Sequence, residues 1–244
     1  IHNVFHASNT RGKCESIVLG ALAQIMLTSS RLAEDLILFT MPEFGYFALP
    51  PELCTGSSIM PQKYNPDVLE LIRAKTARVL GHQTAVGAIL KAMPGGYNRD
   101  LQETKELYLD GVAVTRATLR ILHLMTQGLT VRPDRLRAGF GPGVFATDRA
   151  LELVASGVPF REAYSRVRGS LDTLAGADPD AAIAAKRHLG GTAGLDLDGL
   201  AARAEAIRRE TRRRRRIAHA AFSRLLHVDF QTLTPRAGPR QQGA

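Results

Sequence analysis

From Lys13 to Thr40 the chain contains no proline and only one glycine, Gly20. Val18, Leu22, Ile25, Ser29, Leu32 and Leu36 alternate steps of four and three, the spacing that puts side chains on one face of a helix. Leu19, Met26, Ala33 and Ile37 add apolar side chains on the other faces. A helix apolar round most of its circumference must be surrounded by other helices. Pro42, Gly45, Pro50 and Pro51 end it and make a long connection.

Two further long helices are expected. One opens at Asn65-Pro66-Asp67, which reads as an N-cap, a proline at the first helical position and an acid for the dipole. Its buried stripe is Leu69, Ile72, Thr76, Val79 and Leu80, and it reaches Lys91 with a bend allowed at Gly81. The other spans 101–127, with Tyr108, Val112, Thr115, Leu119 and Leu122 as its stripe and Gly128 closing it. Three such helices predict an all-α, elongated bundle over 1–130. After Arg132-Pro133 glycine and proline recur, and a small separate helical domain is expected over 131–230, with helices near 145–155, 159–174, 179–187 and 197–226. Residues 231–244 read as a disordered tail.

With 45% hydrophobic residues the chain has material for a core. The net charge of +9 admits nucleic acid, an anionic membrane or an anionic small molecule as partner. Much of the excess is concentrated at Arg208, Arg209 and Arg212 to Arg216, near Glu205 and Glu210 and without interleaved aromatics, so a solvated helix face is preferred to a nucleic-acid site. The apolar runs are broken by polar residues, so no membrane span is expected and the cytoplasm is the default compartment. Cys14 and Cys54 have no metal or redox spacing; a disulfide is not forbidden, but two buried thiols in a reducing compartment is the preferred reading. His2 and His6 are spaced for a metal without a third ligand, and the other histidines are scattered. No metal and no cofactor are expected. The chain opens at Ile1 and reads as part of a longer protein.

The stretch "GSSIMPQKYNPDVLE" (56–70) is too polar for a plain connection between apolar helices. Capping accounts for Asn65, Pro66 and Asp67, but not for Ser57, Ser58 and Lys63, nor for a second polar cluster, "YNRDLQETKE" (97–106). A helix start attracts an anion, and a lysine beside it adds a full charge for a carboxylate. Glycine lets such a loop close over a substrate and exclude water. A serine held there can have its oxyanion stabilised and act as a base. These parts suit removal of a proton beside a carboxylate.

"TGSSIMPQKYNPD" resembles the loop of the fumarase/aspartase superfamily, G-S-S-x-M-P-x-K-x-N. "SRLAEDLILF", "PEFGYFALP" and "YNRDLQETKE" resemble its argininosuccinate lyase branch, and "FATDRALELVASGVPFREAY" resembles that branch's small C-terminal domain. The resemblance runs to about Val228. It implies a reversible, cofactor-free anti elimination that splits argininosuccinate into arginine and fumarate. By position, Ser57 is the base in a mobile loop with Gly56, Ser58 and Met60. Lys63 and Asn65 hold a carboxylate and stabilise the intermediate, and Glu70 orients a catalytic histidine. Tyr97, Gln102 and Lys105 bind the succinyl and arginine portions. The resemblance also implies a homotetramer whose sites are shared between subunits.

The departures are Tyr64, where the branch commonly has a second lysine, and "HASNTRGKCES" (6–16), which replaces N-S-x-D-x-V-S-D-R-D. The S-x-R-N-D and G-x-T-H-x-Q regions would precede Ile1, and none of the seven histidines has a matching context. The chain by itself is therefore expected to be inactive. The alternatives are a lyase acting on another succinyl-amine, a non-catalytic structural relative, and nucleic-acid binding through Arg208–Arg216.

Overall fold

The structure is a computed structural model and describes residues 3–229. His2 and the expected tail at 231–244 lie outside the described residues. Two compact units divide the chain, Ile1–Val144 and Phe145–Ala244.

Three long helices make the first unit: α2 (Lys13–Thr40), α3 (Asp67–Leu90) and α4 (Glu103–Gly128), preceded by the short α1 (Val4–Asn9). One core cluster joins Ala33 and Leu36 of α2 to Leu69 and Ile72 of α3 and Met125 of α4. A second joins Ala23 and Met26 to Val79 and Val114. Residue numbers fall along α3 as they rise along α2 and α4, so α3 runs antiparallel to both. Thr76 Oγ1 donates to the Met26 carbonyl of α2 and the Ile72 carbonyl of its own helix, at 3.0 and 2.9 Å, which satisfies a polar group inside the core. Gly111 lets α4 approach closely, because a Cβ there would stand 2.5 Å from Leu19 Cδ2.

The buried stripe of α3 is Leu69, Ile72, Thr76, Val79 and Val86, close to expectation, and the helix is continuous through Gly81. On α2, Ser29 and Leu36 of the expected stripe are buried, but the other buried positions lie one residue beyond the expected ones. Leu19, Ala23, Met26, Ser29, Ala33 and Leu36 are buried, whereas Ile25 and Leu32 are exposed. An apolar row on each side leaves periodicity unable to choose between them, and small Ala23 and Ala33 allow the close approach. On α4, Thr115 of the expected stripe is buried, but with Thr104, Gly111, Val114, Thr118 and Met125 rather than with Leu119 and the rest. Here too small residues face the neighbouring helix.

Among the described residues, α2 alone is long and apolar enough to cross a membrane by length and composition, contrary to the expectation that polar breaks would exclude such a run. Its packing against α3 and α4 accounts for that apolarity, since a core helix meets the same test. The thiols also differ from expectation. They are free, with Cys14 exposed near the start of α2 and Cys54 only partly covered.

Among the described residues, four two-residue strands pin the connections. β1 (Phe47–Ala48) pairs antiparallel with β4 (Thr130–Val131), and β2 (Thr55–Gly56) with β3 (Tyr64–Asn65). The first unit also contains α5 (Pro133–Ala138). The second unit holds α6 (Ala146–Ala155), α7 (Phe160–Arg168), α8 (Pro179–Ala185) and α9 (Leu197–Leu226). Ala150, Ala163 and Val167 are its buried residues on α6 and α7. The single helix expected over 159–174 breaks at Gly169 and resumes as a 3-10 turn at Leu171–Leu174.

Candidate active site

The polar loop is a closed excursion. Thr55 pairs with Asn65 and Gly56 with Tyr64, so residues 57–63 form the tip of a hairpin standing at the head of α3. Inside that tip Ser57 Oγ accepts hydrogen bonds from the amides of Met60 at 3.1 Å and Ile59 at 3.3 Å. The Lys63 amide donates to the Met60 carbonyl at 3.0 Å and completes a second turn. Ser57 is partly buried, while Ser58, Ile59, Met60 and Lys63 are exposed. Two N–H groups aimed at one hydroxyl oxygen stabilise negative charge on it and favour its loss of a proton.

Asn65 is not the N-cap that its neighbours suggest. Pairing with Thr55 holds it in a strand, and Pro66 is the cap residue, with no side-chain cap bond. The Asn65 side chain is thereby left for another use. Thr55 Oγ1 donates to Asp67 Oδ2, tying the base of the hairpin to the first turn of the helix. That contact joins residues twelve apart, and no local sequence pattern announces it. Glu70 is exposed one turn into α3.

Tyr97, Gln102 and Lys105 lie at the other end. From Glu70 to the end of α3 at Leu90 the rise is about 30 Å. Tyr97 and Gln102 follow in the connection and Lys105 starts α4, so a single chain does not bring the two groups together. Arg11 covers the Tyr97 ring at 5.3 Å, and Asn9 Oδ1 accepts from the Gly96 amide at 2.6 Å. The divergent 6–16 stretch thus supports the Tyr97 loop, a role not legible from its sequence.

His82, read as one of several scattered histidines, bonds to Asp110 between α3 and α4. Burial pushes the Asp110 carboxyl up; hydrogen bonds from His82 and Arg78 and the Arg78 charge outweigh it and hold the group below the ordinary range. In the arginine run, Glu205 pairs with Arg208 and Arg212, and Glu210 with Arg213 and Arg214. No cluster of three or more metal-ligating side chains occurs among the described residues.

These features define a class before they define an enzyme: a bundle of long antiparallel helices with a polar hairpin at the head of one of them. The fold matches a fumarate lyase:delta crystallin structure from Brucella melitensis (TM-score 0.56, 24% identity, covering 71% of this chain and 39% of that one). It also matches a 3-carboxy-cis,cis-muconate lactonizing enzyme from Pseudomonas putida (TM-score 0.56, 17% identity, 70% of this chain and 40% of that one). Residues 1–81 match a family described as Lyase.

Within that class the sequence relatives are argininosuccinate lyases. The one from Xylella fastidiosa is 43% identical over 210 residues, 86% of this chain and 47% of that enzyme. The one from Sorangium cellulosum is 44% identical over 201 residues, 82% and 46% respectively. The chain therefore spans about half the length of the curated relatives it matches.

Proposed function

We propose that the protein containing this chain is an argininosuccinate lyase. Ser57 removes a proton from the carbon beside a substrate carboxylate, and the bonds from Ile59 and Met60 lower the cost of the anionic oxygen that does so. Lys63 and Asn65 hold the carboxylate into which the resulting charge spreads. The carbon–nitrogen bond then breaks, releasing fumarate and arginine, whose nitrogen takes up a proton. Glu70 orients a histidine contributed from outside these residues, and Tyr97, Gln102 and Lys105 bind the succinyl and arginine portions. No cofactor is needed.

Because the two groups of residues lie at opposite ends of α3, a complete site takes its hairpin from one copy and its 97–105 cluster from another. Antiparallel bundles meeting side by side give that arrangement, and a homotetramer supplies it. Exposed apolar side chains on the long helices, Ile17 at 74% and Leu109 at 64%, support burial against further copies. The two free thiols fit a reducing compartment, the cytoplasm.

The observation that carries this reading is Ser57, bonded by two amides in a hairpin closed at the head of a helix. The test is fumarate release from argininosuccinate by the full-length protein. Exposed Tyr64 favours one second reading, a lyase acting on a different succinyl-amine. Competition between argininosuccinate and adenylosuccinate separates the two.

A further inference from the structure

Three charged or titratable side chains meet between α3 and α4, away from the hairpin. Asp110 Oδ1 accepts from Arg78 Nη2 at 2.5 Å, and Asp110 Oδ2 accepts from His82 Nε2 at 2.6 Å. Both oxygens of one carboxylate are thus taken by groups one turn apart on the neighbouring helix. The same residues line an open groove of about 660 Å³ together with Gln102, Lys105 and Glu106. Lys105 forms no ion pair among the described residues, and Glu106, next to it in sequence, does not neutralise it.

We propose that Asp110 is a positioning residue for the substrate: it masks Arg78 and His82, so that Lys105 is the groove cation left for a carboxylate. This rests on the lyase reading. The physical need follows from the chemistry of the cations. A guanidinium takes a carboxylate through two parallel hydrogen bonds and outcompetes an ammonium for it. Asp110 lies five residues beyond Lys105, about 7.5 Å along α4. A substrate drawn to an unmasked Arg78 would sit several ångströms out of place, and an error of about 1 Å already slows a reaction substantially.

The test is D110N in the full-length protein, with D110E as the conservative control. Unmasking Arg78 adds a nonproductive mode that excludes the productive one. The expected result is that kcat and KM fall by the same factor, about tenfold for one new charge-assisted contact, while kcat/KM holds. D110E stays near wild type, and the R78M/D110N double variant recovers both constants. A drop in kcat/KM together with Tm, not recovered by the double variant, would make Asp110 a helix-to-helix staple and overturn the inference. Unchanged constants in D110N would do the same. Equilibrium binding of succinate provides a reading independent of turnover. Binding about tenfold tighter in D110N, abolished by R78M, upholds the masking even if wild type splits no argininosuccinate, which would sink the lyase reading alone. Equal affinity in wild type and D110N overturns the masking.

Discussion

The Met60 amide points its hydrogen at Ser57 Oγ across 3.1 Å, and the Ile59 amide joins it from 3.3 Å. A serine hydroxyl is a poor base until its oxygen is stabilised as an anion, and backbone amides do this without changing charge. In the full-length protein, Ser57→Ala should lower kcat by about 10²–10⁴-fold, the range for losing a positioned proton acceptor. Circular dichroism and Tm should remain those of wild type, because the side chain is only partly buried. Ser58→Ala, with no such bonds to its hydroxyl, should cost far less. Equal losses in the two variants would remove Ser57 from its role.

The separation of Glu70 from Lys105 by the length of α3 gives a second expectation. Chain 1–244 alone should release no fumarate from argininosuccinate, because no histidine among the described residues is bonded to Glu70 and two copies supply only the same two half-sites. The assay is ultraviolet detection of fumarate at micromolar protein. Turnover by the isolated chain would mean that a residue within it supplies the missing acid–base partner.

How much of this was readable in the sequence depended on what each residue had to distinguish. Leu69, Ile72, Thr76 and Val79 mark the buried face of α3 because charged Glu70, Arg73, Lys75 and Arg78 fall on its other faces. Periodicity does not fix the face of α2, because Ile25 and Leu32 are as apolar as Leu19 and Met26, and the small size of Ala23 and Ala33 favours the side that meets α3. Asn65 reads as a cap because Pro66 and Asp67 follow it. Its actual strand pairing depends on Thr55, ten residues earlier, and local signals do not report such a contact. Ser57 and Lys63 stand out as candidates in the sequence because capping does not account for their types at a helix head. Arg78, His82 and Asp110 do not stand out, since they converge only once α3 and α4 pack.

Packing also leaves an unused opportunity. Thr115 and Thr118 are buried on α4, and their hydroxyls have no hydrogen-bond partner. A buried unsatisfied hydroxyl costs about 1–3 kcal/mol, and valine has nearly the same shape without that cost. Thr118→Val should therefore raise stability by about 1 kcal/mol, read as a higher denaturation midpoint in urea with an unchanged slope. Thr76→Val should do the opposite, because that hydroxyl spans from α3 to the Met26 carbonyl of α2.

The arginine-rich part of α9 makes a prediction about pH. Hydrogen bonds from Arg213 and then Arg214 hold the Glu210 carboxyl down from the ordinary 4.5 to about 2. A group whose folded pKa is depressed stabilises the fold above its unfolded pKa and loses that contribution as pH falls through the folded value. The Glu210 pairs should therefore be intact at neutral pH, begin to weaken below 4.5 and be largely lost near 2. Helicity followed by far-ultraviolet circular dichroism should fall across that window more in wild type than in Glu210→Gln, which has no carboxyl to protonate. The difference should shrink in high salt, because Arg213, Arg214 and Glu210 are all exposed and salt screens exposed pairs. An acid transition identical in the two proteins would show that these arginines owe nothing to Glu210, and that the helix is held by its backbone and its apolar side chains alone.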